Sequence, residues 1–400
     1  MIAKSMKAAL MVGTALGLSI SVAQAASMAK AGMDKRIADL EREVALVKSQ
    51  MKAAMTPKGP DKNIVSGNSR VRLTIYGQVN TAFRVLSVDG ESQYQTVSND
   101  GSSPRIGIRA AGKINKNLSI VGWHEVEWQY NRRSATGADN DGNERLRARH
   151  VDLSLSHKDL GSVSVGKGSI AGDAADLYSL SGTQYVFGFG GPSGADGGFG
   201  GGTGLTSRNW TLGKFFGARV NRLRYQTPNV MGAMLEASLN ENKGYSVGFL
   251  YAGAPPGVKD FRVLLRAGYR VDPNDHNDNP EDTAWGVSGG VAHSSGFNIN
   301  GSYGTQSTAG AMGDDPFKWN VEAGWGGKVS DMGKTSITIG YGYYDNKLRE
   351  ADYYYVAVNQ AIDAAAADVY AGAANDSGSD DMGEDRPSVT SVIAGVRVKF

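Results

Sequence analysis

The sequence predicts an all-β transmembrane protein, an antiparallel barrel preceded by a secretion signal and a short helix. Three observations predict it. The first is an apolar N-terminal segment that ends in a cleavage motif. The second is an alternation of side chains with a period of two residues, which begins near residue 70 and continues to the C-terminus. The third is that short and long connections alternate between the strands that this pattern defines.

The composition excludes several classes of protein. The chain has 400 residues and no Cys, so a disulfide scaffold, a cysteine zinc site and a thiol nucleophile are all excluded. The net charge is 42 − 40 = +2, which provides no electrostatic basis for binding nucleic acid. Beyond the N-terminus, no segment approaches the roughly 18 apolar residues that a membrane-spanning helix needs.

Residues 1–25 are predicted to be a signal peptide. Lys4 and Lys7 form a positive start, residues 8–22 are apolar, and Ala23-Gln24-Ala25 matches a cleavage site. The alternative is an uncleaved membrane anchor, which the short stretch rich in small residues disfavours. The mature protein is therefore expected beyond the inner membrane.

Residues 26–56 are predicted to form a coiled-coil helix. Its apolar seam follows a heptad repeat, and its members are Ile37, Leu40, Val44, Val47 and Met51. The charged pairs Arg36–Glu41 and Glu43–Lys48 favour a parallel arrangement of the helices, and the β-branched seam residues favour a trimer. The alternative is a single amphipathic helix that packs on the rest of the protein. Pro57, Gly59 and Pro60 mark a linker over residues 57–69.

Residues 70–400 are predicted to form the barrel. Fourteen alternating strands are clear, and a further hairpin within Lys347 to Ile362 would make sixteen. Most are long enough for the roughly nine to eleven residues that a tilted membrane strand needs. Tight turns alternate with long polar loops, and the predicted long loops are Leu86 to Ser103, Arg132 to Glu144, Ser169 to Lys214, Asp272 to Asp282 and Lys347 to Pro387.

One end with short turns and one with long loops is typical of an outer-membrane β-barrel. A soluble secreted β-sandwich is the alternative, because it also has a period of two. The signal peptide, and an apolar face that mixes small residues with aromatic ones, favour the barrel.

Several segments resemble the general porins of Gram-negative outer membranes. Leu73-Thr-Ile-Tyr-Gly-Gln78 resembles the first strand, Ser103-Pro-Arg-Ile-Gly-Ile-Arg109 the second, and Asp159-Leu-Gly-Ser-Val-Ser-Val-Gly-Lys167 the fifth. Phe215 to Tyr225 resembles the strand that follows the constriction loop, and the terminal Phe400 resembles the C-terminal assembly signal of such barrels. The likeness covers roughly residues 70–400. The added coiled coil is similar to that of the DcaP-like porins.

The resemblance implies a homotrimer of 16-stranded barrels in outer-membrane lipid, with the coiled coil in the periplasm. It implies that the barrel assembly machinery is a partner. It also implies a water-filled channel for passive diffusion of small hydrophilic solutes and ions, with no enzymatic activity and no cofactor. A closed barrel that serves as a structural tether or a surface receptor is the alternative function.

The site predicted from the sequence is a constriction inside the barrel. By resemblance, the glycine-rich loop from Gly168 to Lys214 folds into the lumen, and its acids Asp173 and Asp176 lie there. A phosphate cradle is the alternative for this loop, and no βαβ unit supports it. The expected basic wall comprises Arg105, Arg109, Lys167, Arg222, Arg224, Arg262 and Arg266.

Charged pore linings select ions, so this wall predicts a modest preference for anions. For Lys167, strict alternation predicts an outward side chain unless a bulge intervenes. The alternative is that the charges only pair with one another and keep the lumen hydrated.

No catalytic or metal site is predicted. His150, Asp152 and Ser154 share one face, which suggests a hydrolase triad. Residues two apart on a strand are about 6.5–7 Å apart, whereas a triad needs contacts of about 2.6–3.2 Å. The five His residues are scattered along the chain and match no metal motif.

Overall fold

A computed structural model describes residues 67–88, 91–131, 144–187, 219–255, 257–272, 282–307, 315–345, 349–380 and 385–400. The predicted signal peptide, the coiled-coil seam and most of the linker lie outside these residues. So does the glycine-rich part of the predicted constriction loop, residues 188–218. In the described part of the chain, none of the helices has the length and apolar character that a membrane crossing requires.

Antiparallel strands make up almost all of this structure. The strands are β1 (Val71–Val88), β2 (Glu91–Ser98), β3 (Arg105–Lys113), β4 (Leu118–Gln129), β5 (Arg145–His157), β6 (Gly161–Ser169), β7 (Arg219–Gln226), β8 (Ala233–Asn240), β9 (Tyr245–Gly253), β10 (Phe261–Asp272), β11 (Asp282–His293), β12 (Phe297–Ser307), β13 (Phe317–Ser330), β14 (Gly333–Asp345), β15 (Arg349–Ile362), β16 (Ala367–Asp380) and β17 (Asp385–Lys399). One short helix, α1 (Gln184–Phe187), follows β6, and three 3-10 turns lie at Asp100–Ser102, Glu241–Lys243 and Asp363–Ala365.

The sheet closes on itself with sixteen strand positions. Each strand from β3 to β17 pairs antiparallel with the next along the chain, and β17 pairs with β1 from Gln78↔Lys399 to Val88↔Val389. The other edge of β1 pairs with β2 in its second half and with β3 in its first half. Because β2 and β3 share one position, the closed barrel confirms the prediction of sixteen strands.

Two of the predicted long loops are wrong. Leu86 to Ser103 contains the end of β1 and all of β2, and Lys347 to Pro387 contains β15 and β16. The extra pair of strands is present as β15 and β16, but the predicted range Lys347 to Ile362 contains only β15; β16 follows after a turn at Asp363–Ala365. Both segments have a polar composition, which is common in loops. Strand ends that extend beyond the hydrocarbon layer meet water on their outer side, so they need no apolar face.

The two faces of each strand meet different surroundings. On β1, Val79 and Phe83 are exposed on the outer surface, whereas Asn80 and Arg84 are fully buried on the inner side. A lipid-facing Arg at mid-depth would cost about 2–4 kcal/mol, so the charged face must turn inward. This asymmetry sets the orientation of the strands.

The C-terminal residue completes the seam between β17 and β1. The Gly77 amide donates to the Phe400 carbonyl at 2.8 Å, and the Phe400 amide donates to the Gly77 carbonyl at 3.1 Å. The Phe400 ring covers Gly77: a Cβ there would lie 2.4 Å from the ring and 2.6 Å from the Arg105 carbonyl oxygen. The role of Phe400 in assembly stays a prediction.

We expect Gly77→Ala to loosen this seam, because the added methyl must displace both the ring and backbone. Overpacking typically costs about 1–3 kcal/mol, so the thermal unfolding midpoint in detergent, followed by circular dichroism, should fall. Gly112→Ala is the matched control on β3, because its Cβ would meet only ordinary contacts, the nearest at 3.6 Å. Equal midpoints for the two variants would contradict the assigned contact.

Candidate functional site

The segment after β6, residues 170–187, runs along the inside of the barrel and is called the inner loop below. Side chains on the inner face of β8, β11 and β12 accept hydrogen bonds from its backbone amides. These bonds join Gly172 to Glu236 at 2.8 Å, Tyr178 to Ser288 at 2.9 Å and Leu180 to Asn300 at 2.7 Å. The inner loop, which is the described part of the predicted constriction loop, therefore lies against the inner face of the barrel wall, and its role as the constriction stays a prediction.

The two acids of the inner loop differ in their surroundings. Asp176 is fully buried, and its carboxylate lies 2.9 Å from Lys318 Nζ on β13. Asp173 is half-buried and interacts electrostatically with Arg219 on β7. Asp176 is thus an anchor of the inner loop rather than a charge that faces the open lumen.

The end of the inner loop packs on aromatic side chains inside the barrel. Phe187 of α1 is buried against Tyr355, with ring centroids 6.1 Å apart. Tyr185 meets the edge of Tyr370, and the guanidinium carbon of Arg397 lies 3.7 Å from the Tyr185 ring centroid. Burial, with the nearby Asp368 carboxylate, raises the pKa of the Tyr185 phenol above its ordinary value. This small core holds the inner loop against β15 to β17.

A concentration of arginines lies on the inner face of β3 to β7. We call it the arginine wall, and its members are Arg105, Arg109, Arg147, Arg149, Arg219, Arg222 and Arg224. The acids that pair with these arginines are Glu125, Glu127, Asp152 and Glu236. Asp173 also interacts with a member of the wall, Arg219, so seven bases against five acids leave a difference of 7 − 5 = +2 in this region.

Two glutamates on β4 bind three members of the arginine wall. Arg149 donates from Nε to Glu125 at 2.5 Å and from Nη1 to Glu127 at 2.7 Å. Arg147 approaches Glu127 to 2.8 Å, and Arg105 approaches Glu125 only to 3.9 Å. Because the ion pair of Arg105 is long and its side chain is 21% exposed, this cation contributes to the field in the lumen.

The other pairs lie closer to the inner loop. Arg222 is buried and donates to Asp152 at 2.6 Å and to the Ser169 carbonyl at 2.8 Å. Glu236 accepts from Arg224 at 2.7 Å and from Arg266 on β10 at 3.2 Å. Arg222, Arg224 and Arg266 thus form ion pairs with acids inside the barrel, as the alternative of mutual charge pairing expects.

Arg109 and Arg262 have no acid partner among the described residues. The Arg109 guanidinium carbon lies 4.3 Å from the Trp123 ring centroid and 5.2 Å from that of Tyr76, and its side chain is exposed. Arg262 is exposed on the inner face of β10, near the end with the short turns. The two are therefore available to solutes, whereas Arg222 and Arg266 are buried in ion pairs.

Lys167 does not belong to the wall. It pairs in register with Val151, whose side chain is 42% exposed on the outer surface. Residues directly opposite each other in an antiparallel pair share a face, and the register is continuous there, so Lys167 points outward. Its inclusion in the basic wall was wrong, because no bulge interrupts the alternation on β6.

The side chains of the suspected triad have separate partners. His150 stacks on Trp123 with ring centroids 3.5 Å apart, and Asp152 forms an ion pair with Arg222. The Ser154 and Ser164 hydroxyl oxygens are hydrogen-bonded at 2.7 Å. Within the described ranges, no three His, Asp or Glu side chains are grouped closely enough to hold a metal ion.

Comparison with known proteins decides the family. The family described as Gram-negative porin matches residues 14–381 of this chain. The chain belongs to the Gram-negative porin family. This porin lies in the outer membrane and forms a channel for the diffusion of small solutes, and its family and fold indicate a channel rather than an enzyme. No curated protein sequence matches the chain.

Solved structures show the same fold. The anion-selective porin from Comamonas acidovorans is 15% identical with a TM-score of 0.56, and the match covers 82% of this porin and 100% of that chain. The channel DcaP of Acinetobacter baumannii is 13% identical with a TM-score of 0.55, covering 84% and 99%. OmpT of Vibrio cholerae, in a trimer form, is 14% identical with a TM-score of 0.54, covering 83% and 100%.

Sequence reasoning missed several residues of the site. Arg149 occupies a bulge, since the register shifts between Glu125 and Val126 as β4 pairs with β5. The extra residue brings Arg149 inside beside His150, which no period of two predicts. Trp123 has the same parity on β4 as the inward Glu125 and Glu127, but nothing in the sequence distinguished it as a partner of Arg109.

We expect Lys318→Met to loosen the inner loop of this porin. It leaves the buried Asp176 carboxylate without this cation, and removing one partner of a buried pair typically costs about 3–5 kcal/mol. Single-channel recordings should show greater open-channel noise than those of the unaltered porin. The double variant Lys318→Met/Asp176→Leu should restore quiet currents, and equal noise in the single and double variants would show that the ion pair does not anchor the loop.

Proposed function

We propose that diffusion through this porin favours anions modestly over cations. The observation that carries the proposal is the excess of two positive charges at the arginine wall, where Arg105 and Arg109 are accessible from the lumen. A lumen lined by charges of one sign raises the local concentration of the opposite ion. One acid of the inner loop, Asp176, is already paired with Lys318 and so opposes this field little.

The pairing within the wall indicates which residues support the preference. Arg222 and Arg224 each bind a carboxylate, so their removal would also expose an acid. Among the described residues, Arg105 has only a long ion pair and Arg109 has no acid partner, and both side chains are accessible from the lumen. The anion-selective porin from Comamonas acidovorans has the same fold, which is consistent with the proposal.

We also propose that this porin is a homotrimer whose N-terminal coiled coil lies in the periplasm, and that the barrel assembly machinery recognises its last strand. The heptad seam from Ile37 to Met51 and the aromatic Phe400 support these proposals. OmpT of Vibrio cholerae, which shares the fold, occurs in a trimer form. Mass measurement of the detergent-extracted porin tests the trimer, and a monomeric mass would contradict it.

We expect the double variant Arg105→Gln/Arg109→Gln to lower the permeability ratio of chloride to potassium by about twofold or more, because it removes accessible positive charge from the lumen. The reversal potential of single channels in a potassium chloride gradient measures this ratio. Lys167→Gln is the matched control, since it removes one positive charge on the outer face and should leave the ratio unchanged. A cation-selective or unselective unaltered porin would refute the proposal, and the absence of stepwise currents would favour the tether.

A further inference from the structure

An apolar groove crosses the lipid-facing wall of the barrel from β7 to β11. Its volume is about 720 Å³, within the roughly 300–1,000 Å³ that is usual for sites of small ligands. Glu236 borders the groove, but its carboxylate lies inside the barrel, bound to Arg224 and Arg266. The other described side chains that line the groove are uncharged, and they belong to Tyr225, Thr227, Leu235, Ala237, Val247, Phe249, Ala267, Tyr269, Trp285 and Val287.

The groove follows two adjacent rows of side chains that the antiparallel register places on the outer face. One row comprises Tyr225, Ala237, Val247, Tyr269 and Trp285, and the other comprises Leu235, Phe249, Ala267 and Val287. Ala237 and Ala267 have the smallest side chains in these rows, and larger ones flank both. Between the rows, the backbone of Gly248, Gly268 and Gly286 also lines the groove. The wall is thus indented where the small residues lie and is bordered there by bulkier side chains.

The length and direction of the groove match one leaflet of a membrane. Neighbouring strands lie about 4.8 Å apart, so five strands extend the groove over roughly 19 Å. A strand tilt of about 35–45° makes it cross roughly 12 Å of membrane depth. The apolar band of such barrels is about 25 Å tall, and half of this height faces each leaflet. An occupant of the groove would therefore span one leaflet.

The lower end of the groove opens at the end of the barrel that has the short turns, which is the periplasmic end in barrels of this kind. Thr227 directly follows β7, and the Tyr225 hydroxyl donates to the Leu160 carbonyl in the β5–β6 turn at 2.8 Å. Lys158 and Asp159 are exposed in the same turn. One charge of each sign beside an apolar groove suits an amphiphile whose head group carries both a phosphate and an ammonium.

The surroundings of the groove indicate what fills it. This porin lies in the outer membrane, so lipid surrounds the outer face at this depth. Lipid tails are as apolar as the wall, and packing contacts rather than the hydrophobic effect therefore decide what stays there. A flexible acyl chain in the groove touches its floor and its sides, whereas the same chain on a convex part of the wall touches only one surface.

We propose that the groove binds one acyl chain of a phospholipid from the periplasmic leaflet, with the head group at the β5–β6 turn. The site is on the outside of the barrel and is independent of the proposed anion preference. The bound phospholipid should leave more slowly than the lipids elsewhere around the barrel, because its chain makes more packing contacts.

Native mass spectrometry of the detergent-extracted porin, incubated with phosphatidylethanolamine, tests the site. The unaltered porin should retain one phospholipid per chain after the detergent is removed. The double variant Ala237→Phe/Ala267→Phe fills the groove with two rings, and it should lower the retained fraction about fivefold or more, because the acyl chain loses its packing contacts. Leu235→Ala/Phe249→Ala removes part of one side of the groove without adding bulk and should also lower retention.

Ala323→Phe is the matched control. Ala323 is an exposed alanine on the outer face of β13, opposite Ile299 and outside the groove, so this variant should retain as much phospholipid as the unaltered porin. Stepwise single-channel currents like those of the unaltered porin show that each variant has folded. If the filled variant gives no such currents, the retention measured for Leu235→Ala/Phe249→Ala decides.

The proposal fails if the unaltered porin retains no phospholipid, or if the filled variant retains as much as Ala323→Phe does. Retention of co-purified lipopolysaccharide in place of the phospholipid would also overturn it, and would assign the groove to the other leaflet. A smaller oligomer in the filled variant would overturn it in favour of a second copy of this chain as the occupant.

Discussion

The closed ring of backbone hydrogen bonds is the constraint on which the rest of this molecule depends. Lipid offers no partner for an amide or a carbonyl, so a strand in the membrane must be bonded on both edges. The pairing of β17 with β1, completed by the bonds between Phe400 and Gly77, meets this requirement. The closed barrel also separates the lipid outside from the lumen inside. Each strand must then place its apolar side chains in lipid and its charged side chains in the lumen.

The charges inside the barrel are organised by the cost of burying them. A charge removed from water needs a partner, and the inner loop reduces the contact of its neighbours with water. Asp176 with Lys318 and Arg222 with Asp152 are such pairs. Pairing neutralises most of the wall, so selectivity can come only from the cations in excess. The electric field in the pore therefore comes from the positive charges that remain after the structural ion pairs have formed.

The inner loop is held by the Asp176–Lys318 ion pair, by hydrogen bonds from its backbone amides and by aromatic packing. Its amides bind side chains of β8, β11 and β12, and Phe187 joins a small aromatic core against β15 and β16. Arginines are thus most concentrated on β3 to β7, whereas the aromatic residues that pack on the end of the inner loop lie on β15 and β16. On the arginine wall, Arg109 lies against the rings of Trp123 and Tyr76 and has no acid partner in the described part of the chain.

The sequence by itself determined the fold class, the faces of most strands and the inward direction of Arg105, Arg109 and Arg222. The alternation of side chains is a local property, and lipid on one side of the barrel and water on the other select very different side chains. Prediction from the sequence failed where a strand lacks this contrast between an apolar and a polar face, as in the polar strands β2 and β16. Only the tertiary structure decided which charges pair, that the bulge turns Arg149 inward and that Lys167 points outward. These outcomes depend on the register between strands and on where the inner loop lies, and both are set by contacts between residues distant in the chain.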